Sequence, residues 1–203
     1  MAITSYAELQ AAAANWLARA DLTSRIPEFI ALAEAKFNRT LRTRDMITKD
    51  TAFSVTGEYV AVPTGFLQFK GGYLNTAVRE PILFLPDDTQ AAWFEGVSTA
   101  TYPARYVSVQ GTNFHFAPAP GSTTTVTIVY YKAIVGLATT SPNWLLTSHP
   151  DIYLYATLLE AAPFLGDDAR IGTWQSALKE CLGQLIGQEQ RANTAAGMAV
   201  RLA

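Results

Sequence analysis

Phe114-His115-Phe116-Ala117-Pro118-Ala119-Pro120-Gly121, then after Ser122-Thr123 the run Thr124-Thr125-Val126-Thr127-Ile128-Val129-Tyr130-Tyr131-Lys132, is the stretch on which the fold turns. β-Branched and aromatic residues alternate with polar ones, and proline and glycine break the two runs apart. Such period-two alternation predicts half-buried strands. Val126, Ile128 and Tyr130 fall on one face of the second run, and Phe114 and Phe116 on one face of the first. His115 then points away from both phenylalanines and is expected to face solvent. Just upstream, Tyr106 to Val109 alternates ahead of Gly111, so the two segments read as a hairpin.

The same character extends back to about residue 48. Phe53 to Pro63 reads as a hairpin turning at Gly57-Glu58, and Gly71-Gly72 reads as the turn of a second. Pro86-Asp87-Asp88 to Phe94-Glu95-Gly96 reads as a short helix opened by an aspartate. The whole predicts an antiparallel β region of about six strands, short and turn-punctuated as all-β segments are.

Helical spacing lies on both sides. Ser5 and Glu8 form a capping-box pattern, in which the serine oxygen accepts an early N–H and the glutamate reaches back. Tyr6, Leu9, Ala13, Trp16, Leu17 and Ala20 follow at helical intervals. Ile26, Phe29, Ile30, Ala33, Phe37 and Leu41 line a second helix, where Pro27 sits harmlessly in the first turn. Beyond the β region, Pro150 opens a helix carrying Ile152, Leu154, Tyr155, Leu158, Leu159 and Ala162, and Asp167-Asp168 caps the last. That helix has Ile171, Trp174, Leu178, Cys181, Leu182, Leu185 and Ile186 along one stripe. Its Gly183 and Gly187 have the spacing that lets helix backbones approach, a compensation for about 1 kcal/mol lost per interior glycine.

The expected fold is therefore α+β: a four-helix bundle, two helices from each end of the chain, with an inserted antiparallel β region. The expected boundaries are 1–47 for the first helical pair, 48–140 for the β region, 141–195 for the second pair and 196–203 for a tail.

Composition narrows the function. Of 203 residues 49% are hydrophobic and only 16% charged, against roughly 25% charged in typical soluble domains. A neutral surface of this kind suits burial against other subunits, because interface cores are depleted in charge. The net charge of −2 sets up no global field toward DNA or anionic lipid. The single cysteine, Cys181, excludes a disulfide framework and a multi-cysteine metal cluster. The start lacks a signal-peptide pattern, and no apolar run reaches the ~18 residues of a membrane span; the expected location is cytosolic or on something assembled there.

No catalytic constellation stands out. His149 precedes Pro150 at a helix start, where a cap or turn role is expected. Asp87-Asp88 and Asp167-Asp168 open helices, where carboxylates favour the positive end of the dipole; adjacent carboxylates do not converge on one bond as a general acid and base must. Cys181 lies on an apolar stripe and reads as an inert thiol. No nucleophile elbow, phosphate loop or dinucleotide fingerprint is present. The protein is accordingly expected not to be an enzyme and to need no cofactor or metal. The one charge bias is Lys36, Arg39, Arg42, Arg44 and Lys49, read either as a solvated helix end or as a salt-bridging rim between subunits.

Longer segments resemble a known family. Tyr102-Pro103-Ala104-Arg105 through Gln110-Gly111, Phe114 through Gly121 and Val126-x-Ile128-x-Tyr130-Tyr131 resemble the β region of head-to-tail adaptor, or connector, proteins of tailed bacteriophages. So do Trp144-Leu145-Leu146, His149-Pro150-Asp151-Ile152-Tyr153-Leu154-Tyr155-Ala156, Glu160 through Leu165 and Asp167-Asp168-Ala169-Arg170. Leu32 through Arg39 is similar to the family's second helix. The resemblance covers about 30–195 and includes the tail tubular A proteins of short-tailed phages.

It implies a structural virion protein that forms a homo-oligomeric ring, twelve-fold as a rule, docks under the portal, extends the DNA channel and receives the next tail protein. Contact with genomic DNA in the channel would be transient and non-specific, with no membrane involved. Arg39, Arg42 and Arg44, together with Met198, Val200 and Leu202 of the tail, are the candidate interface residues. A tail-completion or tail-tube protein is an alternative, but would be mostly β. A ligand-binding β module on a helical stalk is another, motivated by Tyr73, Tyr102, Tyr106, Phe114, Tyr130 and Tyr131.

Overall fold

The computed structural model describes residues 2–76, 79–94, 103–166 and 168–195. They divide into two compact units: Met1–Asp45 with Ile134–Ala203, and Met46–Ala133.

The first unit is helical. α1 (Tyr6–Leu17) starts at Ser5, whose Oγ accepts the Glu8 N–H at 3.3 Å. Glu8 reaches back one residue further than a capping box requires, to the N–H and hydroxyl of Thr4 at 2.7 and 2.6 Å. α2 (Ile26–Thr40) buries Ile26, Phe29, Ile30, Ala33 and Phe37, with Leu41 buried just beyond its end. After the β unit come α4 (Trp144–Ser148), α5 (Pro150–Glu160), α6 (Ala162–Leu165) and α7 (Arg170–Ala195); α3 belongs to the other unit.

These helices do not make the expected four-helix bundle. A bundle needs each helix to turn one apolar stripe toward a shared axis. α5 instead buries Ile152, Tyr153, Leu154, Ala156, Thr157 and Leu158, residues from nearly all round its circumference. A helix apolar on every side belongs in the middle, and α1, α2 and α7 pack against it. α7 is accordingly only partly covered. Trp174 and Leu185 of its stripe are buried, but Ile186 is exposed, and a Cβ added at Gly183 or Gly187 would meet nothing within 4 Å. Among the described residues, no helix makes the close contact expected at those two glycines.

The second unit is a half-barrel sheet of seven strands in the order β1-β7-β3-β4-β5-β6-β2. The strands are β1 (Ile47–Val55), β2 (Tyr59–Ala61), β3 (Phe66–Leu74), β4 (Pro81–Phe84), β5 (Tyr106–Gln110), β6 (Asn113–Ala117) and β7 (Thr124–Lys132). The sheet is mixed, not wholly antiparallel, because β4 and β5 run parallel. Parallel neighbours need a crossover, and the link between them carries α3 (Asp87–Phe94).

Two expected hairpins fail for different reasons. The chain does turn at Gly57-Glu58, but β2 pairs with β6 and not with β1. Gly71 and Gly72 are no turn at all; they lie inside β3, which pairs along its length with β7. A Cβ at Gly72 would stand 2.8 Å from the Thr127 carbonyl oxygen, so this glycine allows a close approach of two strands. The hairpin around Gly111 forms as expected, with Tyr106 through Gln110 paired to Asn113 through Ala117.

The sheet is rolled. With strands about 4.8 Å apart, a flat sheet would hold β1 and β6, five places apart, about 24 Å from each other. Yet the rings of Phe53 on β1 and Phe114 on β6 are edge-to-face at 5.7 Å. Phe114 also meets Phe66 and Phe69 of β3 at 5.0 and 6.1 Å. This aromatic contact closes one core with Val55, Leu74, Ile82, Val107, Phe116, Val126, Ile128 and Tyr130.

Candidate interaction surfaces

Alternation along β6 does put His115 on the opposite side from Phe114 and Phe116, but that side is covered. His115 is only 8% exposed, so the solvent-facing expectation fails. Its Nδ1 lies 2.7 Å from Asp87 Oδ1 on α3 and its Nε2 3.0 Å from Glu58 Oε1. The Tyr59 ring stacks on the imidazole at 4.6 Å. Ser108 Oγ and Gln110 Nε2, both on β5, donate to the two Asp87 oxygens at 2.9 Å, and Gln90 Nε2 donates to the His115 carbonyl at 3.1 Å.

The hydrogen bond from His115, then that from Ser108, holds the Asp87 carboxyl below its usual range. Asp87 is thus a tie between α3, β5 and β6. Asp88, the second residue of α3, accepts the N–H of the adjacent Thr89 at 2.8 Å.

Serine, histidine and aspartate meet here without the connectivity of a nucleophilic triad. Ser108 is 1% exposed and donates to the aspartate, not to the histidine, whereas a triad routes the hydroxyl proton through the ring. Both ring nitrogens face carboxylates, and Tyr59 covers one ring face. The cluster is bonded as a latch that pins β2 and α3 to the outside of the roll.

The helical unit has its own polar core. Glu34 Oε1 accepts from the Leu137 N–H at 2.7 Å and the Tyr153 hydroxyl at 3.2 Å. Asn143 donates to that hydroxyl at 2.7 Å and accepts the Leu146 N–H at 3.0 Å, capping α4. Burial raises the pKa of both Glu34 and Tyr153, favouring the neutral acid in each. Cys181 is half-buried, and burial with the nearby Asp151 pushes its thiol up to about 11, far from the thiolate. His149 joins α4 to α5 through its backbone, and its side chain caps nothing. Asp168 accepts the Arg170 N–H at 2.9 Å at the start of α7. Asp167 lies outside the described residues.

The basic segment does not stay together. Lys36 pairs with Glu160, Arg39 is exposed in the last turn of α2, and Arg42 donates to the carbonyls of Asn38 and Leu41. Arg44 pairs with Glu189 at 3.5 Å, and Lys49 belongs to the sheet unit. Met198, Val200 and Leu202 lie outside the described residues, as do Tyr102 and the rest of the tail.

Exposed apolar side chains, by contrast, escaped the sequence reading. Trp16, Leu32, Phe164 and Ile186 on the helical unit are 43–50% exposed, and Tyr59, Leu83 and Phe84 on the sheet unit 50–56%. Both units thus carry large apolar side chains on their surfaces, of the kind that subunit contacts bury.

The chain matches the model of the SU10 adaptor protein family over residues 4–201. It belongs to that family, a bacteriophage head–tail adaptor family, and is a structural adaptor protein of the phage particle. No curated relative matches it.

Proposed function

We propose that this adaptor acts as one subunit of a closed ring that docks under the portal, continues the DNA channel and receives the next tail protein, with no catalytic role. The observation that carries this reading is the family match across nearly the whole chain. The low charge supports it, as do the exposed apolar residues of both units, since subunit interfaces bury such surface. Heterologous contacts that close give cyclic rings, and rings at this junction are twelve-fold as a rule in the proteins the sequence resembles, the tail tubular A group among them. Genomic DNA must slide through, so any contact along the channel is weak and sequence-independent.

Size-exclusion chromatography with light scattering, with and without the cognate portal, tests it. The expected result is a monomer or mixed population alone and a defined ring on portal, docking less tightly when residues 196–203 are deleted. A full-length protein that stays monomeric and never associates with portal would remove the reading. The tail-tube alternative is disfavoured by the large helical unit, and the ligand-module alternative by Phe114 and Tyr130, which are core residues.

A further inference from the structure

Along β7, Thr127, Val129 and Tyr131 point away from the aromatic core that Val126, Ile128 and Tyr130 fill. On this outer face a cleft of about 350 Å³ opens between β1 and the end of β3. Lys49 and Arg79 line it, and both cations stand over one ring, that of Tyr73, at 5.6 and 5.0 Å from its centre. The hydroxyl-bearing residues Thr51 and Thr127 complete the wall.

Neither cation has a carboxylate partner among the described residues. The acids beside them in sequence are occupied elsewhere: Glu80 pairs with Arg105 at 2.8 Å, and Asp50 accepts the Ala52 N–H at 2.9 Å. Asp50 is also paired opposite Ile128, on the core side of the sheet. Two cations that line one concave site with an aromatic ring and no carboxylate between them favour an anion there.

We propose that the Lys49–Tyr73–Arg79 cleft binds a phosphate-class oxyanion, either free phosphate or a phosphodiester of DNA. A carboxylate would be satisfied by the guanidinium fork alone, in one plane. Here the ammonium of Lys49 on β1, the guanidinium of Arg79 beyond β3 and the Thr51 hydroxyl line one cleft, which suits a tetrahedral ion; the Thr127 hydroxyl is engaged by Asn75 Oδ1 at 2.7 Å. The local field acts in the same sense: the hydrogen bond from Lys49, then the contact with Thr127, holds the Tyr73 phenol below its ordinary range, so negative charge is favoured there. Lys70 stands over the Tyr131 ring at 5.3 Å, and Tyr131 lies four residues, about 13 Å, along β7 from Thr127. That gives a following phosphate group a further contact on the same face. The inference rests on the sheet alone and stands or falls apart from ring assembly.

The test titrates full-length protein with inorganic phosphate, followed by amide NMR shifts, and separately with a short fluorescent DNA duplex, followed by anisotropy across salt concentrations. Wild type is expected to shift residues around Lys49, Tyr73 and Arg79 with phosphate. Lys49→Ala combined with Arg79→Ala should abolish those shifts. If DNA is the source, the same variant lowers the slope of log K against log salt by about 2, roughly 1 per lost phosphate contact. Arg25→Ala combined with Lys179→Ala removes the same charge elsewhere and should change neither readout. Tyr73→Phe keeps the ring and should weaken both only partly. A phosphate response without duplex binding assigns the cleft to free phosphate. No localised phosphate response, together with equal loss of duplex binding in both double variants, overturns the proposal.

Discussion

Adjacent glycines in β3 should respond to the same substitution with opposite signs. At Gly72, an alanine Cβ would sit 2.8 Å from the Thr127 carbonyl oxygen, 3.4 Å from Phe69 Cζ and 3.7 Å from Ile128 Cα. The nearest atom is backbone of the paired strand and cannot rotate away. An ordinary C···O approach is about 3.3–3.6 Å, so β3 and β7 must part locally by about half an ångström. Overpacking of this kind costs about 1–3 kcal/mol, against a gain of about 0.4–1 kcal/mol from a stiffer unfolded chain.

The net loss at Gly72 is then about 1–2 kcal/mol. For a cooperative unit of this size it lowers Tm by roughly 4–16 °C. At Gly71 a Cβ meets nothing within 4 Å, and the residue is not among the glycines with positive φ. Gly71→Ala should therefore raise Tm by a few degrees. Calorimetry of the two single variants, with near-ultraviolet circular dichroism to follow the aromatic core, decides it. Gly72→Ala melting at or above wild type, or Gly71→Ala falling as far as Gly72→Ala, would refute the close-approach argument.

Glu34→Gln keeps an acceptor for Leu137 N–H and Tyr153 and removes a buried charge. Because burial raises the Glu34 pKa in the folded state, its favourable contribution is complete below the unfolded value near 4.5 and is lost as pH rises through the folded one. The variant should gain Tm over wild type as pH rises from 4 to 7; a difference that is flat or shrinks with pH sinks the assignment. His115→Ala and Asp87→Ala should each destabilise the sheet unit, and a double-mutant cycle should show coupling of about 0.5–3 kcal/mol. Additive effects in urea unfolding would mean that His115 and Asp87 are not coupled, and would overturn the latch.

Patterns confined to one element were legible in the sequence. All six residues of the α2 stripe are buried, as are Val126, Ile128 and Tyr130 of β7. Each follows from a periodicity that the element itself imposes. The local hairpin at Gly111 was legible too; what failed was decided by a partner distant in the chain. Gly71-Gly72 carries the composition of a turn, yet glycine serves equally where another backbone approaches, and only the position of Thr127 tells the two apart. β2 leaves β1 for β6 because rolling the sheet brings its far edge within reach, a fact held by no window of residues. The bundle follows from the expectation that two helical pairs, each burying little alone, pack together, whereas the nearly all-round burial of α5 is the informative feature: a helix covered on every side must be surrounded.

The same distinction explains the candidate sites. Alternation assigned His115 to the right face of β6, but a face of a strand is not its environment; α3 and Tyr59 supply that, from 28 residues upstream in the case of Asp87. Charge along the chain groups Lys49 with Arg44, yet Arg44 is engaged by Glu189 in the helical unit and Lys49 stands over Tyr73 in the sheet unit. The cation that completes the Lys49 cleft, Arg79, follows Tyr73 beyond the end of β3, and the pairing of Lys49 with Val129 and of Tyr73 with Thr127 through β7 brings them together. A central strand with one partner on each side therefore does for charge what it does for the core: it gathers residues that no local motif could announce. For an adaptor whose overall charge is nearly neutral, binding of an anion must come from such local concentration, and the two tyrosine rings that hold Lys49, Arg79 and Lys70 in place are the means by which this sheet achieves it.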